Sequence, residues 1–274
     1  MSTVDVYRVT HQLDNATLDA LIGRLEARGK HPRFMQMMSE YLERMGIDSC
    51  ATVLDIGCGT GVAARAIARR PGFSGRIIGI DRSPYLVSRG RRFAEEEGVG
   101  NHIDFRAGDS HGLGLPDAAF DGVVAHTLLS HVDNALTVMK EIARVVRPGG
   151  KVGIFDGDYA SLTYGSETPD QAEVTDRLVV DALVTNPRVM REMPRLLLEA
   201  GFGLEAAYAH VVADIGKADF FAPGIQAMLT LLPKSGAMTE VQVRSWADAV
   251  TRQSEQGIYF AASNFYSYVA MRLP

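Results

Sequence analysis

Cysteine is scarce in this chain of 274 residues, with only Cys50 and Cys58. Two thiols make neither a disulfide framework nor a cysteine-based metal site, so no metal is expected and a reducing, cytoplasmic setting is the natural reading. A basic excess is also missing. Lys and Arg total 28 against 33 Asp and Glu, a formal charge of −5, which argues against a general nucleic-acid surface. No apolar run approaches the roughly 20 residues of a membrane span. The first fourteen residues carry Asp5, His11 and Asp14 and do not read as a signal peptide. Internal repeats and low-complexity tracts are absent. The 46% hydrophobic content is enough for a large core, and the length suits one α/β domain with additions.

The pattern begins irregularly over residues 1–16. Thr17–Ala27 reads as a helix ended by Gly29, and Pro32–Met45 as a second, with Phe34, Met38, Tyr41 and Met45 on one stripe. That stripe suits core packing, or a lid over a ligand. From Ala51 strand and helix alternate. Strands are expected at Thr52–Asp55, Arg76–Asp81, Ile103–Ala107, Phe120–Ala125 and Lys151–Phe155. Helices are expected at Gly61–Arg70, from Ser83-Pro84 to Glu97, and from Asn134 to Val146, where Pro148-Gly149-Gly150 follows. This alternation predicts an α/β, doubly wound, parallel sheet with helices on both faces. Residues 157–170 read as loop, Gln171–Val184 and Pro187–Ala200 as helix, Leu204–Val212 as strand, 217–256 as mostly helix, and Ile258–Arg272 as a last, antiparallel strand.

The chemistry centres on Val53-Leu54-Asp55-Ile56-Gly57-Cys58-Gly59-Thr60-Gly61, a strand, a glycine turn and a helix start. A dinucleotide fingerprint would place glycine at position 62, which is Val. The carboxylate of Asp55 would repel a phosphate and suits an ammonium. The pair therefore argues for a zwitterionic amino-acid tail and against NAD. Asp81, at the end of the second strand, can accept from both hydroxyls of a ribose, with Arg82 beside an adenine. In Gly108-Asp109-Ser110, the Asp109 carboxylate can accept from an adenine amine and the Ser110 N–H can reach the ring. A helix cap or a turn acid is the alternative for each of these aspartates.

Val53–Gly61, Ile78–Asp81, Gly108-Asp109, Leu115-Pro116-Asp117-x-x-Phe120-Asp121 and Arg147-Pro148-Gly149-Gly150 stand in order. Together they resemble the class I S-adenosylmethionine-dependent methyltransferases, most closely the branch with the ubiquinone/menaquinone and natural-product enzymes. The likeness covers about residues 50–157, and Tyr259–Arg272 is similar to the family's antiparallel seventh strand. It implies a seven-stranded, mostly parallel, Rossmann-like sheet and S-adenosyl-L-methionine as cofactor. Gly57, Gly59 and Gly61 would pass beneath methionine and ribose, the His126 carbonyl would hold the ammonium, and Leu128 and Leu129 would wall the sulfonium. Cys58 stands where the family tolerates several small residues.

The implied reaction is O- or C-methylation of a small-molecule acceptor, natural-product or quinone-like. A non-catalytic S-adenosylmethionine-binding sensor or scaffold is the alternative. His126, His131, Asp156 and Asp158 are the base candidates, the last three foremost, Tyr7, Tyr159 and Tyr164 the acceptor-pocket candidates, and Arg33 the candidate for the methionine carboxylate. Arg89, Arg91 and Arg92 sit among Glu95–Glu97 and read as a solvated face. The domain reading is residues 1–48 as an N-terminal helical lid and 49–274 as the methyltransferase domain, with helical substrate-cap insertions at about 157–186 and 216–256. No nucleic-acid partner is expected. Oligomeric state stays open, a homodimer included.

Overall fold

The computed structural model describes residues 5–165 and 169–274. The chain enters through α1 (Asn15–Lys30) and α2 (Pro32–Met45). Then come β1 (Thr52–Ile56), α3 (Val62–Ala68), β2 (Arg76–Asp81), α4 (Pro84–Glu96) and β3 (Ile103–Ala107). Next are β4 (Phe120–His126), α5 (Ala135–Val145), β5 (Val146–Tyr164), α6 (Pro169–Leu183) and α7 (Val189–Glu199). The chain closes with β6 (Phe202–Gly216), α8 (Ala222–Ser235), α9 (Glu240–Glu255) and β7 (Tyr259–Arg272). Helix starts follow local chemistry. The Asp14, Ser83 and Asn134 side chains accept from the N–H three residues on, and Thr239 with Gln242 forms a capping box.

The seven strands form one sheet in the order β3-β2-β1-β4-β5-β7-β6. β1 to β5 pair in parallel, and β7 runs antiparallel between β5 and β6. Alternate residues serve opposite faces. Val53, Ile77, Val124 and Phe155 join one core with α2, α3 and α8, while Leu54, Ile80, Val123 and Ile154 join another with α5 and α7. Because the order reverses at β1, a crevice opens beyond the carboxyl ends of β1 and β4, where open α/β sheets bind ligands.

Three expectations change. First, Gly29 does not end α1. A Cβ there would lie 2.6 Å from Val62 Cγ1, so this glycine allows α1 to approach α3 closely, and the helix stops at His31, which is extended before Pro32. Second, Gly157–Tyr164 is not loop. It continues β5, held by β7 through Gly157↔Phe265, Asp158↔Asn264 and Tyr164↔Ala261. Of the rest of that expected loop, residues 166–168 lie outside the described residues, as do residues 1–4 of the expected irregular start. Third, β6 outruns Leu204–Val212 at both ends because its whole length pairs with β7. The α2 stripe is core: Phe34, Met38, Tyr41 and Met45 are all at most 4% exposed.

Candidate active site

The glycine turn is shaped by what touches it. Gly57 has φ +67°, and a Cβ there would sit 2.5 Å from Leu128 Cδ1. Gly61 has φ +77°, with Phe105 Cζ at 2.4 Å from such a Cβ. Both positions demand left-handed backbone and close approach, which glycine alone supplies without strain. Asp81 fastens the turn to the end of β2. Its Oδ2 accepts from Gly59 N and its Oδ1 from Ser83 N, both at 2.9 Å. Thr60 Oγ1 donates to Glu26 Oε1 at 2.6 Å, and Glu26 also pairs with the buried Arg65, which ties α1 to the turn.

Asp55 is 1% exposed. Its Oδ2 accepts from Ala64 N at 3.0 Å, while Oδ1 is buried with no partner among the described residues. Burial outweighs that one hydrogen bond, and Asp81 adds repulsion, so the carboxyl is pushed up to about 7. An orphaned acidic oxygen in a cavity wall is a place for a cation to sit.

Two adjoining cavities meet at this edge. The larger holds about 1410 Å³ of non-atom space, its mouth included. At one end it is lined by Asp55, Gly57, Cys58, Gly59, Asp81, His126, Thr127 and Leu128; at the other by Tyr159, Leu162, Tyr164, Val180, Phe221, Met228 and Phe265. The smaller, about 470 Å³ with its mouth, is lined by Ile80, Asp81, Arg82, Gly108, Ser110, His111 and Val132 among others. Tyr7, Gly57, Asp81, Leu128 and His131 border both.

The segment before α1 closes over them. Asp5, 5% exposed, accepts from Tyr7 N (2.9 Å), Thr185 N (2.9 Å) and Thr185 Oγ1 (2.8 Å), and its Oδ2 lies 3.0 Å from His131 Nδ1. Every other group at this carboxylate is a donor. His131 therefore presents Nδ1–H to it, which leaves Nε2 with its lone pair. The Tyr7 ring stacks on His131 at 4.7 Å, and Arg24 donates to the Tyr7 hydroxyl. Arg8 adds a surface pair with Asp133 at 2.5 Å.

Other expected residues fall elsewhere, for physical reasons. Asp156 is fully buried and accepts from Ser130 N (3.0 Å) and Gly157 N (2.9 Å). It holds the loop that carries His131 and lines neither cavity. Asp158 is held by Arg191 in a two-pronged pair (2.8 and 3.0 Å) and lines neither. Arg33 turns out of the site to the Ala213 carbonyl at 2.8 Å. Asp109 lines neither cavity. Arg82 (2.6 Å) and the N–H and ring of His111 (each 2.9 Å) occupy its carboxylate. Burial works against that charge, but these partners hold the carboxyl well below its usual range. The backbone positions Gly108 and Ser110 do reach the smaller cavity, as does Arg82. Leu129 is buried in the sheet core, whereas Leu128 lines both cavities.

His126 stacks on Phe155 at 4.7 Å and meets the Tyr41 hydroxyl at 2.9 Å through Nδ1. Burial, helped by Arg28, pushes it down to about 3, so it is a neutral ring. The Cys58 thiol is pushed up by burial. Burial also pushes Tyr159 up to about 12 and raises Tyr164, so both hydroxyls stay protonated.

Sequence reasoning missed Asp5, Arg24 and Arg28. Leu21, Arg24, Leu25 and Arg28 all line the larger cavity. Their three- and four-residue spacing puts two arginines into an apolar face of α1, the signal that was available. Arg28 Nη2 donates to Thr127 Oγ1 at 3.1 Å and its guanidinium lies 4.8 Å from the centre of the Phe34 ring.

Residues 54–154 match the family described as "Methyltransferase domain". An uncharacterised 37.1 kDa protein of a transposon from Streptomyces fradiae is 31% identical over 225 residues, 81% of this chain and 63% of that protein. Sterol 24-C-methyltransferase erg6 of Aspergillus fumigatus is 30% identical over 161 residues, 59% of this chain and 42% of that one. The chain thus spans less than two thirds of either relative. Among solved structures, the [4+2]-cyclase SpnF is similar over 100% of this chain and 98% of its own, with a TM-score of 0.64 at 19% identity.

Proposed function

We propose that the chain, whose residues 54–154 match a methyltransferase domain, is a class I S-adenosylmethionine-dependent methyltransferase and that it methylates a small molecule held at the apolar end of the larger cavity. The observation that carries this reading is the orphaned Oδ1 of Asp55 in the wall of a cavity that continues past Asp81 into an apolar chamber. The residues present fit the cofactor. Gly57, Gly59, Asp55 and Asp81 line the larger cavity together, and the buried Asp55 Oδ1 has no partner among the described residues.

When bound, S-adenosylmethionine supplies a methyl on a positively charged sulfur. Asp55 would pair with its ammonium and Asp81 with its ribose hydroxyls, while the Gly108–Ser110 backbone borders its adenine in the smaller cavity. Arg28, beside Thr127 at the end of β4, takes the carboxylate role expected of Arg33. Leu128 covers the junction of the two cavities. Alignment of acceptor and methyl is the main catalytic contribution. His131 Nε2 removes a proton from a hydroxyl or an acidic carbon of the acceptor, and Asp5 steadies the imidazolium that results. Such a base typically contributes about 10²–10⁴-fold. Residues 5–48 serve as the lid, and residues lining the chamber from 159–164, 179–184 and 220–228 wall the acceptor. An acceptor with a bulky apolar body agrees with this lining.

The test is incubation of cell extract with the protein and methyl-labelled S-adenosylmethionine, read by mass spectrometry. A labelled small molecule appearing together with S-adenosylhomocysteine is the expected result. Cofactor binding with no S-adenosylhomocysteine formed in any extract would instead make the chain a sensor or scaffold.

A further inference from the structure

Arg24 has no assigned task in that reaction, yet it borders the chamber where the acceptor would lie. It is half-buried and lines the larger cavity. One guanidinium nitrogen donates to the Tyr7 hydroxyl, and no carboxylate pairs with it among the described residues. Its charge is felt at Tyr159 and Tyr164, both on the acceptor side. Across from it stands the first turn of α8: a Cβ on Gly224 would lie 3.7 Å from Arg24 Nε. The backbone leading into that turn already donates to the buried Asp214 carboxylate, from Phe220 N and Phe221 N, so the open positive group there is Arg24. The Tyr7 hydroxyl, a neutral partner, does not balance a half-buried cation.

The charged groups of the donor are already matched, ammonium to Asp55 and carboxylate to Arg28, so Arg24 is left for the other ligand. We propose that the methyl acceptor carries an anionic group, carboxylate or phosphate, which docks on Arg24, beside the first turn of α8, while its apolar body fills the chamber. This rests on reading the cavity as a donor-plus-acceptor site. It narrows the acceptor to amphiphilic acids and sets neutral lipids aside.

Calorimetry on the full chain tests this, first with S-adenosylhomocysteine alone and then, at saturating S-adenosylhomocysteine, with decanoate, decyl phosphate and decanol. At least one anionic probe should bind about tenfold or more tighter than decanol, the size expected of a hydrogen-bonded charge. The tighter of the two anions names the headgroup. Arg24→Gln should erase that preference with S-adenosylhomocysteine affinity kept within threefold, and Arg24→Lys should retain most of it. Decanol binding as tightly as both anions would overturn the inference. So would an Arg24→Gln variant that loses S-adenosylhomocysteine affinity as much as anion affinity, since Arg24 would then serve the donor. Failure of the unaltered chain to bind S-adenosylhomocysteine would overturn the donor reading itself, and this inference with it.

Discussion

Asp5 and His131 lie 126 positions apart in sequence and meet at 3.0 Å. The contact joins the segment ahead of α1 to the loop after β4, and Thr185, between α6 and α7, shares the same carboxylate oxygen. Three distant parts of the chain thus converge on the one imidazole that borders both cavities. Asp5 would act as a positioning residue in this arrangement: it holds the ring at Nδ1 and lines neither cavity.

His131→Ala should therefore lower kcat by about 10² or more once an acceptor is in hand. Asp5→Asn should lower it in the same direction, because an amide no longer selects the Nδ1–H tautomer. Calorimetric affinity for S-adenosylhomocysteine and the acceptor KM should each stay within about threefold. A kcat equal to that of the unaltered enzyme in both variants would return the pair to a purely structural role.

The raised carboxyl of Asp55 makes donor binding pH-dependent. The folded, empty site holds a proton up to about pH 7, whereas the unfolded chain releases it near 3.8. Between those values the native state binds the extra proton, so this group's contribution to stability falls as pH rises through the window. Binding has the opposite sign, because an ammonium favours the ionised form. Affinity for S-adenosylhomocysteine should rise between about pH 6 and 8, by up to about tenfold per unit below pH 7. Asp55→Asn should flatten that profile while unfolding at no lower temperature than the unaltered chain at pH 8. Equal calorimetric profiles for the two proteins would remove Asp55 from the ammonium site.

Gly57 offers a packing test. Gly57→Ala imposes a left-handed alanine, about 1–2 kcal/mol, and drives its Cβ into Leu128. Thermal unfolding should drop by several degrees and donor affinity should fall. Adding Leu128→Ala should recover the part due to collision and leave the backbone part. An unchanged melting temperature in the single variant would mean that the turn has another conformation.

What the sequence made legible was local. The strand–glycine turn–helix grammar, the aspartates ending β1 and β2, and the first five strands could be read because each depends on neighbours a few residues away. The spacing of Arg24 and Arg28 marks them on an apolar face of α1 but not what that face meets, and Asp5 carries no local signal, since its meaning comes from where the leading segment docks. Gly29 read as a stop, but it is a contact surface for Val62. Gly157–Tyr164 has the composition of a loop, and only its pairing to β7 makes it strand. Asp109 and Arg82 were read as separate ligand contacts, but opposite charges so placed satisfy one another first.

The outward run of β5 also divides the acceptor chamber into two kinds of wall. Tyr164 and Phe265 stand at paired positions of β5 and β7, whose register ties them to the same sheet that carries Asp55 and Asp81, while Tyr159 and Leu162 stand on the bulge of β5 between Asp158 and Thr163. A one-residue slip there would turn every side chain to the opposite face. Arg24, Val180 and Met228 stand on helices that rest on that sheet from outside it. Acceptor scope can therefore drift through helix substitutions while the donor platform stays intact. Directed evolution toward new acceptors should find its tolerated changes on α1, α6 and α8, and few on β5 or β7.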